Sequence, residues 1–326
     1  MANPSSTLVA GLGRRPKNGP RNGPKNGPKN RPKAKDSRPV WMEKPKPAMQ
    51  ISKAIALVVI CFLALYPLLA VLATSLSSQS EIANNNGLVL FPKEPTFAAY
   101  QTIFAGGVVT DALIRSLVIT TVGTALSLVV TVAMAYGLTR RDLVGGRFFL
   151  MTALFTMLFS PGIIPSFLMV KELGLLDNYA ALVLPTLMSA FNLVVVRSFF
   201  MNLPQELFEA AKIDGAGDFR ILVQMVLPLS RGVLAVVGLF YAVGYWNAFF
   251  NAMLYLNDDK WPLSMILRQY VLLGQPMGDS AVAEIAVPSQ AIQMAVVVIS
   301  LIPIVIVFPF LQRYFTKGVL TGAIKG

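Results

Sequence analysis

The chain has 326 residues, 55% of them apolar and 13% charged, with a mean hydropathy of +0.61. A soluble domain carries about 25% charged residues, so the composition argues against a soluble protein and for one integral to a membrane. The net charge of +12 belongs to a tail, because residues 1–53 hold 13 Lys/Arg against 2 Asp/Glu while residues 54–326 hold 15 against 14.

The tail, residues 1–53, carries a four-residue repeat, Lys17-Asn18-Gly19-Pro20 through Lys29-Asn30-Arg31-Pro32. Gly and Pro break regular structure and the repeat has no apolar side chain to bury, which predicts a disordered basic cytoplasmic segment. Attraction to anionic membrane lipid is one use for such charge. No aromatic residue is interleaved with the repeats, so the stacking platform of a nucleic-acid partner is missing. A solvated topogenic tail and no nucleic acid are the expectation. The first long apolar run begins near residue 54, later than the core of a cleaved signal peptide, and is expected to stay as an anchor. Cys61, within it, reads as a small apolar core residue.

About 20 apolar residues span the hydrocarbon core as a helix. Six stretches qualify: 54–73, 117–138, 148–170, 180–200, 232–255 and 291–311. They predict an all-α integral membrane protein, with residues 54–326 as one six-helix domain. Prolines inside the spans suggest a packed, kinked bundle, and the Ser160-Pro161-Gly162 and Pro165 cluster marks the third span as the one to bend or break. With the tail inside, the inner segments hold 23 Lys/Arg and the outer ones five, so both termini are expected to be cytoplasmic. Arg197, near the inner end of the fourth span, is expected to snorkel.

Between the fourth and fifth spans lies a long inner loop, about 201–231. Pro204 suits a helix's first turn, Glu206 and Glu209 lie where the helix dipole favours acids, and Gly215 is placed to end the helix. Ala210 and Ala211 would let another surface approach its backbone closely. A second helix is expected with Asp218 as its cap and one apolar stripe of Phe219, Leu222, Val223 and Val226, ending before Pro228. In the fourth and fifth spans Asn192, Tyr241, Tyr245, Asn247 and Asn251 offer groups that can pair with a polar cargo, with Asn247 and Asn251 stacked at i, i+4. The same residues equally suit interhelical hydrogen bonds or interfacial anchoring.

Catalysis is hard to place in this chain. One cysteine and no histidine exclude an intramolecular disulfide, Ser-His-Asp and Cys-His triads and HExxH zinc sites. No GxxxxGK[ST] loop for ATP occurs either. No catalytic residue and no metal site are expected. An ion-coupled secondary transporter is the alternative reading, but it needs carboxylates near mid-membrane and none of the six spans contains Asp or Glu.

Glu209-Ala210-Ala211, Asp214-Gly215-Ala216 and Leu227-Pro228 resemble the EAA motif of the membrane-spanning subunits of binding-protein-dependent ABC importers. Met225 stands where that motif usually has Ile. Glu94-Pro95-Thr96-Phe97-Ala98-Ala99-Tyr100, Tyr245-Trp246-Asn247 and the segment 311–318 are similar to the carbohydrate-uptake branch, with its maltose-permease second subunit and its oligo- and polysaccharide permeases. The likeness covers about residues 50–326. Arg115 departs from it, standing before Ser116 where the family commonly has Asn.

The resemblance implies a type I ABC importer permease fold in a bacterial cytoplasmic (inner) membrane. It implies a second, homologous permease, two ATPase subunits and an extracytoplasmic sugar-binding protein as partners. ATP and Mg would sit on the ATPases, with no cofactor in this chain. Glu209, Ala210, Ala211, Asp214, Gly215 and Ala216 would dock on an ATPase, and the outer loop 256–290 would reach the binding protein. The implied cargo is a carbohydrate, an oligosaccharide in the first place, with a uronic-acid-containing one among the candidates.

Overall fold

The computed structural model describes residues 47–140, 143–273 and 290–323. Among these, every regular element is helical. In chain order they are α1 (Pro47–Ser75), α2 (Gln79–Asn84), α3 (Ala98–Gly106), α4 (Val108–Gly137), α5 (Gly146–Leu158), α6 (Ile163–Glu172), α7 (Ala180–Val183), α8 (Ala190–Met201), α9 (Gln205–Ile213), α10 (Asp218–Ile221), α11 (Leu227–Leu229), α12 (Arg231–Trp246), α13 (Phe249–Tyr255), α14 (Leu263–Arg268) and α15 (Gln290–Ala323). The chain divides into two units, Met1–Leu57 and Val58–Gly326. Of the first, residues 47–57 are described, and they form the exposed opening turns of α1. The repeats of the basic tail lie outside the described residues.

Three helices are long and apolar enough to cross a membrane unbroken, Pro47–Ser75, Val108–Gly137 and Gln290–Phe310. Two bent pairs follow the same composition, Ala180–Thr186 with Ala190–Met201 at 52° and Asp218–Leu229 with Arg231–Trp246 at 84°. The third expected stretch is broken where the proline cluster suggested. Helix α5 stops at Leu158, Gly162 takes φ +86°, and α6 restarts at Ile163. The fifth is interrupted as well, at Asn247 and Ala248 between α12 and α13.

Helix α4 is the hub, and its sequence explains why. Gly123, Ser127, Thr131 and Ala135 recur every fourth residue and all are buried. Small residues at that spacing let another helix approach closely, the packing device of membrane helices. Helix α12 uses the groove. The Tyr245 ring lies so near Gly123 that an added Cβ would stand 2.8 Å from it. One helical turn apart on each side, Ser127 Oγ meets Tyr245 Oη at 2.8 Å and Thr131 Oγ1 meets Tyr241 Oη at 2.7 Å. These pairs run in antiparallel register and leave the four hydroxyls satisfied in an interior that otherwise has few polar partners.

Helix α1 behaves differently. From Val58 to Leu69 its large apolar side chains are exposed, a surface suited to hydrocarbon, where backbone groups are satisfied inside the helix. Cys61 lies on that surface and is exposed, so it is not a core residue. The periodicity of an all-apolar helix does not say which face is covered.

Candidate functional site

The inner loop forms a projecting corner. Helix α9 starts after Pro204, which holds φ −57° and ψ 128° as its N-cap. It ends in a Schellman motif: Gly215 N–H donates to the Lys212 carbonyl at 3.0 Å and Ala216 N–H to the Ala211 carbonyl at 2.9 Å. That closure needs a left-handed residue, and Gly215 takes φ +75°. The EAA residues stand on this corner, with Glu209, Ala210, Asp214 and Gly215 exposed and Ala211 and Ala216 half-buried. Phe208, Ala211 and Ala216 pack against the core. No residue of α9 is fully buried, while Ile213 is 86% and Phe219 77% exposed. A short helix that shows bulky apolar groups beside acids offers a partner both burial and charge.

Arg140 holds the corner to the hub, and Arg197 of α8 holds the helix before it. Arg140, just past α4, donates to the Asp218 carboxylate and to the Tyr136 hydroxyl. Its guanidinium carbon lies 4.5 Å from the Tyr136 ring centroid. The Tyr136 hydroxyl in turn donates to the Asp218 carbonyl at 3.1 Å. Arg197 Nε donates to the Leu138 carbonyl at 3.0 Å, satisfying the open end of α4 where a cation also meets the negative pole of the helix dipole. Arg197 therefore does more than snorkel.

Asp218 is not the cap expected from the sequence. Gly217 occupies the cap position of α10, and the Asp218 carboxylate is turned to Arg140. The expected stripe is corrected too. Phe219 and Val223 are exposed, whereas Ile221 and Val226 are buried. Leu222–Val226 forms a π turn, with Leu227 N–H bonded to the Leu222 carbonyl, and five-residue spacing replaces the i, i+3, i+4 pattern. The helix also runs through Pro228 to Leu229. The wider turn ahead of the proline relieves the clash that its ring makes with a regular helix.

Asn192, Tyr241, Tyr245 and Asn251 meet around one cavity of about 400 Å³, together with Thr186 and Ser189. The two tyrosine hydroxyls are committed to holding helices together. Besides its bond to Thr131, Tyr241 Oη accepts from Ser189 N–H at 3.0 Å, and Thr186 Oγ1 donates to Tyr245 Oη at 3.5 Å. Their rings form the cavity wall. The amides of Asn192 and Asn251 make no side-chain hydrogen bond with the described residues and are the polar groups left for a ligand. Asn247 lies outside the cavity. It caps α12, and its Nδ2 donates to the Val243 carbonyl at 3.0 Å. The break after Trp246 undoes the expected stacking of Asn247 on Asn251.

A second polar cluster was missed from the sequence. Lys260 Nζ reaches Asp177 Oδ2 at 2.6 Å and the Asp177 carbonyl at 2.8 Å, and Asn257 N–H donates to Asp177 Oδ1 at 3.2 Å. Asp177 holds φ +58°, a left-handed position that Asp tolerates better than most residues. The Lys260 hydrogen bond, followed by that from Asn257, keeps the Asp177 carboxyl below its usual range. The Asp177 hydrogen bond keeps the Lys260 ammonium above its usual range. The only sequence signal was an isolated acid and an isolated base in two different loops.

Among the described residues no group of three or more His, Cys, Asp or Glu is placed to hold a metal ion.

Comparisons with known proteins follow the same outline. Residues 107–321 match the family described as binding-protein-dependent transport system inner membrane component. The polygalacturonan/rhamnogalacturonan transport system permease protein YtcP of Bacillus subtilis is 44% identical over 274 residues, covering 83% of this chain and 96% of that protein. Protein LplC of the same organism is 45% identical over 264 residues, covering 80% and 89%. A chain in the crystal structure of a bacterial ABC transporter involved in the import of the acidic polysaccharide alginate superposes with a TM-score of 0.77 at 30% identity, over 84% of this chain and all of that one. The matched family and YtcP are transport components, not enzymes. The chain belongs to the family of inner-membrane permease components of binding-protein-dependent ABC importers.

Proposed function

We propose that this subunit forms, with a second permease, the pathway for a carbohydrate driven across the inner membrane by ATP hydrolysis on two separate ATPase subunits. The observation that carries the coupling half is the corner of α9: exposed, rigidly ended at Gly215 and tied to α4 through Arg140 and Asp218. In this reading α9 docks on an ATPase through Glu209, Ala210 and Ile213. The links of Arg140 and Arg197 then pass the motion to the hub helix. Six spans with both termini cytoplasmic and a basic cytoplasmic tail of residues 1–53 complete the arrangement, supported by the distribution of Lys and Arg. The outer segment 256–290, of which residues 274–289 lie outside the described ones, meets the binding protein. ATP and Mg belong to the ATPases.

The cargo in this reading is an oligosaccharide bearing uronic acids. The support is the names of the relatives that handle polygalacturonan and alginate, together with a cavity whose aromatic walls and two free amides suit sugar rings and hydroxyls. Copurification from the native membrane, with ATPase activity measured against sugar-loaded binding proteins, tests the whole. Recovery of an ATPase and a second permease, stimulated by one loaded binding protein, is expected. The double variant Glu209→Lys with Gly215→Pro should lose the ATPase while the protein stays in the membrane. Transport by this chain alone in liposomes, driven by an ion gradient, would overturn the reading.

A further inference from the structure

About 100° around α4 from the Gly123, Ser127 and Thr131 face, Ile114, Val118, Val122 and Leu126 recur every fourth residue, each about half exposed. With Val183, the last residue of α7, and Leu184 after it they line a second cavity of about 400 Å³. From Ile114 to Leu126 the groove rises about 18 Å at the helical repeat. One leaflet of hydrocarbon is about 15 Å thick, half the bilayer core. The lining is apolar except at one end, where Arg115 and Tyr179 stand.

Two contacts put these residues at the same level. Ser116, next to Arg115, accepts from Leu263 N–H at 2.8 Å. Lys260, three residues before Leu263, is bonded to Asp177, two residues before Tyr179. Lys260 is thereby occupied, whereas Arg115 makes no hydrogen bond or ion pair with the described residues. No acidic side chain lines the groove.

We infer that this groove binds one anionic phospholipid, an acyl chain lying along Ile114–Leu126 and the headgroup phosphate on Arg115 with Tyr179 beside it. The amphipathic shape decides the occupant. An apolar slot one leaflet long, ending in an unpaired guanidinium and a phenol at interfacial depth, matches a lipid's chain and phosphate. A saccharide would leave its hydroxyls unpaired against this lining. A zwitterionic choline headgroup would bring a second cation to Arg115.

The test uses the detergent-extracted protein with the subunits that copurify. It is titrated with phosphatidylglycerol and with phosphatidylcholine of the same chain length, and the retained lipid is counted by native mass spectrometry. One phosphatidylglycerol should be held more tightly than phosphatidylcholine. Arg115→Gln should reduce its retention about five- to tenfold, and Arg115→Lys should keep most of it. Val122→Trp, which fills the slot but leaves the charge, should expel both lipids. Equal retention of the two lipids by the unaltered protein, or full retention in Val122→Trp, would overturn the site even if Arg115→Gln fails to assemble. Cross-linking of Val122→Cys to the second permease would also overturn it, as would displacement of the lipid by a uronic-acid oligosaccharide.

Discussion

The seam between α4 and α12 and the corner of α9 are built on opposite rules. The seam is closed by small residues and a buried ladder of hydroxyls, so its partners cannot part without leaving polar groups unsatisfied. The corner fully buries no side chain of α9: Phe208 and Ala211 pack only partly against the core, and Arg140 ties Asp218 to the end of α4. In the proposed function, a motion delivered to the corner meets few local restraints before it reaches this tightly closed seam. The difference sets a tightly packed wall beside an exposed corner whose side chains are open to a partner.

The largest effect is expected where the seam is tightest. Gly123→Leu drives a side chain into the Tyr245 ring, which an added Cβ alone would approach to 2.8 Å, and overpacking of this kind costs about 3 kcal/mol. Loss of monodisperse protein on size-exclusion chromatography would register it. Normal yield and melting temperature would show that the seam is looser than described. Tyr241→Phe keeps the shape but strands Thr131 Oγ1 and the Ser189 N–H, at about 2 kcal/mol. A lower thermal midpoint with the same oligomeric state is the expected outcome.

At the corner the effect is smaller and of another kind. A Cβ on Gly215 would meet nothing within 4 Å, so Gly215→Ala costs only the strain of a left-handed residue, about 1 kcal/mol. ATPase coupling should fall while the melting temperature hardly moves. A large drop in melting temperature would erase the contrast between the two regions.

The smallest effect concerns the pair Asp177 and Lys260. Asp177 has a depressed folded pKa, so its contribution is full above the unfolded value of about 3.9 and is lost as pH falls through the folded one. Lys260 has a raised folded pKa, so its contribution is full below about 10.4 and is lost as pH rises through the folded one. Opening of the Asp177 amide, bonded to the Tyr255 carbonyl, should be constant across neutral pH once hydrogen exchange is corrected for its intrinsic rate. It should increase at both extremes. Lys260→Gln should remove the alkaline limb and weaken the acid one.

Much of the frame was readable in advance. Apolar length located the helices, Pro161 and Gly162 the break between α5 and α6, and Gly215 the end of α9, because these are local effects of composition and backbone freedom. The seam was legible in principle from the four-residue recurrence of small residues between Gly123 and Ala135. The rest depended on partners far along the chain. Arg140 finds Asp218 78 residues away, Asn247 is removed from the cavity by a helix break, and the apolar stripe after Asp218 slips because packing and Pro228 favour a wider turn. Periodicity read at 3.6 residues has no means of registering that slip.

That wider turn has a consequence for how force is steered. A five-residue turn lodged between α10 and α11 works as a phase shifter: the extra residue rotates everything on one side of it by about 100° relative to an unbroken helix. The direction in which Phe219 points is thus set by a single inserted peptide unit rather than by the amino acids around it. Relatives that keep the side chains but gain or lose one residue here would aim the same handle at a different neighbour.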